Sequence, residues 1–538
     1  MDRELIGQLF FANLPGDSLT PESLQFLQET RPGGIVLYGE NIRSARQIQE
    51  LTQELQRRAA EWRLPPLILA VDEEGGRVSR MPGGLEELIA PSQMAQAAAG
   101  GDAVAAAATA TARRLRRLGF TMNLAPVADI NTHAANPIIG SRAYGNDPAA
   151  VGAAVAAAVR AYLAEGIVPC VKHFPGHGDT EVDSHFATPL IKKTLPQMQQ
   201  TNLIPFVQAL AAGAPAIQMA RIVCPAVDPT NTPANVSPYF LNTLLRQHLG
   251  FTGLVLTGAL LVEGQGDRLH QAAVIQQAVM AGACLLIPTG ANWAPKYEHY
   301  QALVAAAETA AFDVAAAVTR VLDHKARYLQ PLLAVQAGPL PAGEAGTQVT
   351  DEKATMLAIA RRAITVLRNE GALLPLAPAR FHAPLLVDFV LPVASPIEES
   401  RPVERVLQKA LLARIPQLQI YTGGANPTRP ETDAVLARAA TADLLIIITH
   451  NALQIPAQAA LTQHLLTLGI PAVLVAARDP YDCLIAPNAP AQVVTYGDPP
   501  VSMLALAEVL VGQSTPTGIL PVDIPDLHPR GSGLSWPA

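Results

Sequence analysis

The residues best able to do chemistry in this chain are crowded into one stretch, Lys172-His173-Phe174-Pro175-Gly176-His177-Gly178-Asp179-Thr180-Glu181-Val182-Asp183-Ser184-His185. It holds three histidines, three acids and two glycines. A zinc ion would take such ligands, but the spacing is not the helical His-Glu-x-x-His pattern. A phosphate cradle would need Gly-Lys-Ser/Thr after the glycines, and none follows. No metal and no cofactor is expected. Acid–base chemistry fits better. Asp183 and His185 lie two apart, so in an extended loop they share a face. The carboxylate can then orient the imidazole, fix its tautomer and keep a proton donor near neutral pKa.

The stretch follows a continuously apolar segment, Val168 to His173, and others like it recur along the first 330 or so residues: Gly34 to Tyr38, Leu67 to Asp72, Thr121 to Val127, Ala216 to Ala220, Gly253 to Thr257 and Ala283 to Ile287. Such runs are expected of parallel strands buried on both faces. Helical stretches separate them. Thr20-Pro21-Glu22 reads as an N-cap, a first-turn proline and an acid matched to the helix dipole. Ala149 to Glu165 is alanine-rich and stops at Gly166, a natural residue just past a helix end. Seven or eight β/α units predict a TIM-type (β/α)8-like barrel, with an open doubly wound sheet as the alternative. In a barrel the C-terminal strand ends form the active face, which is where the polar residues fall.

Residues Ala337 to Thr350 are rich in Gly and Pro and lack periodicity, so they are expected to link a barrel domain at 1–336 to a second domain at 351–538. There Ala354 to Leu367 reads as helix, and strands at Pro384 to Val390, Leu444 to Thr449 and Ala472 to Ala477 alternate with helices. The whole is an α/β protein, a barrel followed by a smaller α/β sandwich.

These segments together resemble glycoside hydrolase family 3, in its β-N-acetylhexosaminidase branch. The resemblance rests on the 172–185 loop, on Val71-Asp72-Glu73-Glu74-Gly75-Gly76-Arg77-Val78, on Leu124-Ala125-Pro126-Val127-Ala128-Asp129 and on Asn136-Pro137-Ile138-Ile139-Gly140-Ser141-Arg142-Ala143-Tyr144-Gly145. Asn369 to Leu376 and Pro516 to Val522 are similar to the opening and closing of the family's second domain. The resemblance implies retaining hydrolysis of terminal β-linked GlcNAc. It makes His185 and Asp183 the acid/base pair, and gives Asp72, Arg142, Lys172 and His173 to the sugar hydroxyls and the N-acetyl group. Glu73, Glu74 and Arg77 are expected to support these residues structurally.

One element of that chemistry is missing. Retaining glycosidases need a second carboxylate to attack the anomeric carbon from the opposite face. The family carries it at the end of a strand reading roughly Gly-Leu-Val-x-Thr-Asp-Ala, and this chain reads Gly253-Leu254-Val255-Leu256-Thr257-Gly258-Ala259. Gly258 stands at the nucleophile position. Arg221 stands where the family shows a histidine, so the pocket moves by about two charge units toward positive. An oxocarbenium-like transition state is cationic and is opposed by both changes. The alternatives are that Glu263 or Asp267 stands in, or that the acetamido oxygen attacks. Three readings stay open: an impaired hydrolase, a sugar-binding protein without turnover whose pocket favours an anionic muropeptide or sugar phosphate, and a deliberate replacement at 258, which Arg221 makes less economical.

With 538 residues, 49% of them hydrophobic and 15% charged, the chain has enough apolar surface for two packed domains. A net charge of −7 argues against a nucleic-acid surface. No apolar run reaches the roughly 18 to 20 residues of a membrane span, and Met1 to Gln8 does not open like a signal peptide. Four scattered cysteines are expected to be buried thiols, consistent with a cytoplasmic protein acting on a small carbohydrate, a GlcNAc-containing saccharide or muropeptide. The oligomeric state is left open.

Overall fold

The computed structural model describes residues 3–81, 88–181, 188–260, 268–287, 293–309, 314–336, 342–390, 398 and 405–536; the side chains of 3–4, 268–272, 309, 334–336 and 342–348 lie outside that description. In the first domain the strands are β1 (Phe11–Asn13), β2 (Gly34–Leu37), β3 (Ile68–Val71), the short ribbon β4 (Glu73–Gly75) and β5 (Val78–Ser79), then β6 (Met122–Asn123), β7 (Val168–Phe174), β8 (Ala216–Met219), β9 (Leu254–Ala259) and β10 (Leu285–Ile287). Eight of them run parallel in the order β1-β2-β3-β6-β7-β8-β9-β10. A bridge between Phe10 and Leu286 brings the last strand back to the first. This is the barrel; the open sheet is excluded by that closure. Its strands are buried except at His173, Gln218 and Ala259, near the C-terminal ends, which explains why they read as apolar runs.

Sequence reading overextended one strand and missed others. Thr121 to Val127 forms a strand only at Met122–Asn123; past it Pro126, which has no amide hydrogen, breaks the ladder, and a single bridge joins Val127 to Lys172. Strand β1 spans only three residues, too few for run length or alternation to mark it, and was not recognised.

The second domain is a six-stranded sheet of β11 (Thr365–Asn369), β12 (Pro384–Val390), β13 (Gln419–Gly424), β14 (Leu444–Thr449), β15 (Ala472–Ala476) and β16 (Ala491–Val494), ordered β11-β16-β15-β14-β12-β13. Only β11 is antiparallel to its neighbour. Two expectations are corrected here. A helix occupies Ala342–Ala363, so most of the stretch read as a linker is helical. After Pro341 no proline interrupts the chain, and the helix extends back through Ala, Glu, Gln and Thr from its buried turns at Met356 and Ile359. Its end was also misplaced: Thr365 to Leu367 is strand, since the β-branched Thr365 and Val366 pair with Val494 and Val493. Among the described residues no helix is long and apolar enough to cross a membrane. Cys170, Cys224, Cys284 and Cys483 are buried free thiols, as expected.

The two domains share a packed apolar seam in which Met94, Ala95 and Ala98 meet Ala363, Tyr481, Tyr496, Leu520 and Val522. Beside it runs a buried ionic chain. Arg77 lies 3.4 Å from Glu398, Glu398 3.0 Å from Arg478, and Arg478 3.3 Å from Asp498. His450 closes it, 3.5 Å from Asp498 and 3.7 Å from Asp388. Burial works against a charged His450, but the two carboxylates outweigh it and hold its pKa up at about 9. The protonated form is therefore favoured by folding. Its stabilisation is complete below the unfolded value near 6.5 and disappears as pH rises through about 9. The native chain is expected to lose on the order of 3 kcal/mol between pH 6.5 and 9.5 that His450→Gln does not lose. Urea unfolding of both at the two pH values measures it; parallel losses would contradict the assignment.

Candidate active site

The candidate residues gather at the C-terminal ends of the barrel strands. Asp72 follows β3, Lys172 and His173 lie in the last three residues of β7, Arg221 lies two residues past β8, and Gly258 is the penultimate residue of β9. Arg142 closes a short 3-10 turn, Gly140–Arg142, in the segment after β6. The barrel register brings these together from positions far apart in sequence.

Lys172 is the hub. Its side chain is 1% exposed, and its ammonium meets Asp72 Oδ1 at 2.7 Å and Glu74 Oε1 at 2.6 Å. Arg142 grips Glu74 through two parallel bonds of 2.8 and 2.9 Å, the strong planar fork between guanidinium and carboxylate. Arg80 lies 3.4 Å from Asp72. Burial alone would raise Glu74 and Asp72, but these cations outweigh it and both are held below ordinary carboxylate values. Glu73 turns the other way and pairs with Arg114 at 2.8 Å, both side chains 1% exposed. Glu74, by contrast, holds two of the candidate sugar-binding residues, Arg142 and Lys172.

His173 has its own carboxylate. Its Nδ1 is 2.6 Å from Asp129 Oδ2, and the amide of His177 donates to Asp129 Oδ1 at 2.6 Å. Burial lowers the His173 pKa; Asp129 pulls it up, Arg142 and Lys172 push it down again, and the balance is lowered. A neutral imidazole beside that carboxylate keeps its proton on Nδ1. Nε2 is then the acceptor that faces Arg142 Nη2 at 3.4 Å. Burial likewise drives His177 down to about 4. Its Nδ1 contacts the Thr180 hydroxyl at 2.9 Å, and its buried Nε2 has no hydrogen-bond partner among the described residues. Asp129 was visible in sequence only as part of a motif; its pairing with His173, 44 positions away, had no sequence signal.

Asp183 and His185 lie outside the described residues, as do Glu263 and Asp267. Gly258 is described. Its φ is +67°, and a Cβ built there would lie 3.0 Å from the Met219 carbonyl oxygen and 3.3 Å from Gln218 Nε2. Thr257 Oγ1 donates to the Gly258 carbonyl at 2.8 Å and accepts from the Ile287 amide at 3.2 Å, which fixes this backbone. Arg221 is half-buried, and that burial lowers its pKa. No group of three or more His, Cys, Asp or Glu suited to a metal occurs among the described residues.

Comparison with known proteins bears on the same face. A model of the glycosyl hydrolase family 3 N-terminal domain matches residues 3–324. The β-hexosaminidase A of Pseudoalteromonas piscicida is 30% identical over 383 residues, 66% of this chain and 62% of that relative, so the chain spans less than two thirds of it. The β-hexosaminidase of Stenotrophomonas maltophilia (strain R551-3) is 36% identical over 255 residues, 46% of this chain and 73% of that protein. Among solved structures, a family 3 β-N-acetylglucosaminidase from Paenibacillus sp. str. FPU-7 superposes with a TM-score of 0.88 at 31% identity, over 97% of this chain and 99% of the other. Barrel, second domain and matching segments thus agree, and the chain belongs to glycoside hydrolase family 3, where the relatives it resembles are β-hexosaminidases.

Proposed function

We propose that this chain binds terminal β-linked GlcNAc and that its hydrolysis is severely impaired, because no side chain stands at position 258 to attack the anomeric carbon. Asp72, Lys172, His173 and Arg142 hold the sugar, and His185, oriented by Asp183, gives a proton to the departing oxygen. What supports the binding part is the interlocked set at the barrel mouth, where each cation already meets a carboxylate at hydrogen-bond distance. Such a set is pre-organised for hydroxyl and amide groups, because nothing must move to satisfy the charges. The impaired turnover rests on Gly258 and its positive φ. Removing a nucleophile elsewhere lowers turnover by roughly 10⁴-fold or more.

A second reading follows from the same residue together with Arg221. Loss of an acid and gain of a fixed cation favour an anionic ligand such as a muropeptide fragment or a sugar phosphate. In that reading the chain is a sugar-binding protein without turnover. Titration of the thermal midpoint separates the two. The first reading expects GlcNAc to raise it at concentrations where anionic muropeptides do no better; a markedly larger response to the anions selects the second, and no response to any of them removes both. Residence in the cytoplasm belongs to the same proposal, supported by four buried cysteines without a disulfide. So does a division at 337–350 into a barrel domain, 1–336, and a second domain, 351–538.

A further inference from the structure

The segment that carries Arg142 is held from two sides, and one side is the second domain. On the barrel side Gln93 Nε2 donates to the Arg142 carbonyl, and Asn136 Oδ1 accepts the amides of Ile138 and Ile139 at 3.0 and 2.8 Å. From the second domain, Asp479 Oδ1 accepts the Ser141 amide at 2.7 Å. Asp479 is 5% exposed and follows Arg478 just past the C-terminal end of β15. Its carboxylate reaches that amide only because residue 140 has no side chain: a Cβ on Gly140 would lie 2.4 Å from Asp479 Oδ1 and 2.7 Å from Oδ2. The second domain also touches the segment indirectly, since Arg77, which lies 3.4 Å from Glu398, donates to the carbonyls of Ile138 and Ile139 at 2.9 and 3.1 Å. Arg142 Nη1 bonds the same Ile138 carbonyl at 3.0 Å.

We propose that Asp479 is a positioning residue for the sugar site: the second domain sets the 138–142 turn through the Ser141 amide and thereby fixes where Arg142 presents its guanidinium. This rests on Arg142 binding sugar, as read above. A buried carboxylate accepting a backbone amide is a charge-assisted bond, stronger than a neutral one, and it acts one residue from the side chain it positions. If Asp479 served only to dock the domains, its loss would loosen the whole seam alike.

Hydrogen exchange of the full chain without ligand, together with GlcNAc titration by calorimetry, tests this. Asp479→Ala is expected to lose amide protection in 137–145, with the rest of the seam at 94–98 and 516–523 unchanged, and to bind GlcNAc about tenfold more weakly. Asp479→Asn keeps an oxygen for the Ser141 amide and is expected to retain both protection and affinity. Gly140→Ala, which pushes the carboxylate away from the other side of the interface, is expected to resemble Asp479→Ala and serves if that variant does not fold. Unchanged exchange and affinity in both disruptive variants, protection lost uniformly along the seam, or Asp479→Asn as damaging as Asp479→Ala, would each overturn the proposal. If the native chain ignores GlcNAc while the exchange difference stays confined to 137–145, the sugar reading falls and the positioning role stands, because exchange is measured without ligand.

Discussion

An aspartate at position 258 is expected to raise kcat/KM on an aryl N-acetyl-β-glucosaminide by roughly 10³-fold over the native chain. The restored carboxylate would attack the anomeric carbon while His185 protonates the leaving oxygen, the two-step retaining route. Full recovery is not expected, and the backbone says why. Gly258 has a φ of +67°, and a Cβ there would meet the Met219 carbonyl oxygen at 3.0 Å. Aspartate enters that left-handed region more readily than most residues, but at a cost of about 1–2 kcal/mol, near a factor of ten. Adding Arg221→His should raise activity further, since it removes a fixed cation from a site that must stabilise positive charge. Chemical rescue gives an independent reading. In the native chain azide would enter beside Gly258 and attack from the face opposite the aryloxide. The C1–N bond forms as the C1–O bond breaks, and the product is the α-glycosyl azide. Native activity already within tenfold of Gly258→Asp would mean that another group supplies the nucleophile, with Glu263 and Asp267 the first to replace.

Lys172→Met is expected to destabilise the chain by roughly 3–5 kcal/mol, because it strips the shared cation from two buried carboxylates. Asp72 would keep Arg80 only at 3.4 Å, and Glu74 would keep Arg142. With Lys172 gone, the like charges of Asp72 and Glu74 also face each other unscreened in a site that excludes water. The same variant should abolish measurable GlcNAc binding. Urea unfolding at pH 7 reads the first effect and calorimetry the second. A loss of under 1 kcal/mol would show that water reaches the carboxylates and that the cluster is not the closed unit described here. Lys172→Arg is no conservative control, because a planar fork cannot replace a compact ammonium that serves two carboxylates in this geometry.

Much of this was legible before any coordinates. The unbroken apolar runs at 34–38, 67–72 and 168–173 announced buried parallel strands, because a strand covered on both faces has no polar side to alternate. Their polar ends marked the active face. The glycine at 258 was equally plain, since residue type is read directly from the chain. Where local signals were weak the reading failed: β1 is too short to show a pattern, and the helix at Ala342–Ala363 reaches back into a Gly-rich stretch that composition alone marks as linker.

Sequence by itself determined the fold class, the family likeness, the proposed sugar-facing residues and the glycine at 258, because each is written in residue type and short-range spacing. The tertiary structure decided who pairs with whom. It joined Asp129 to His173 across 44 positions, gave Lys172 to both Asp72 and Glu74, and put Asp479 on the Ser141 amide across 338. It also decided that Gly258 lies in a backbone conformation that resists a side chain. Contacts of that kind depend on strand register and domain docking, which the whole chain sets at once and no window of sequence contains.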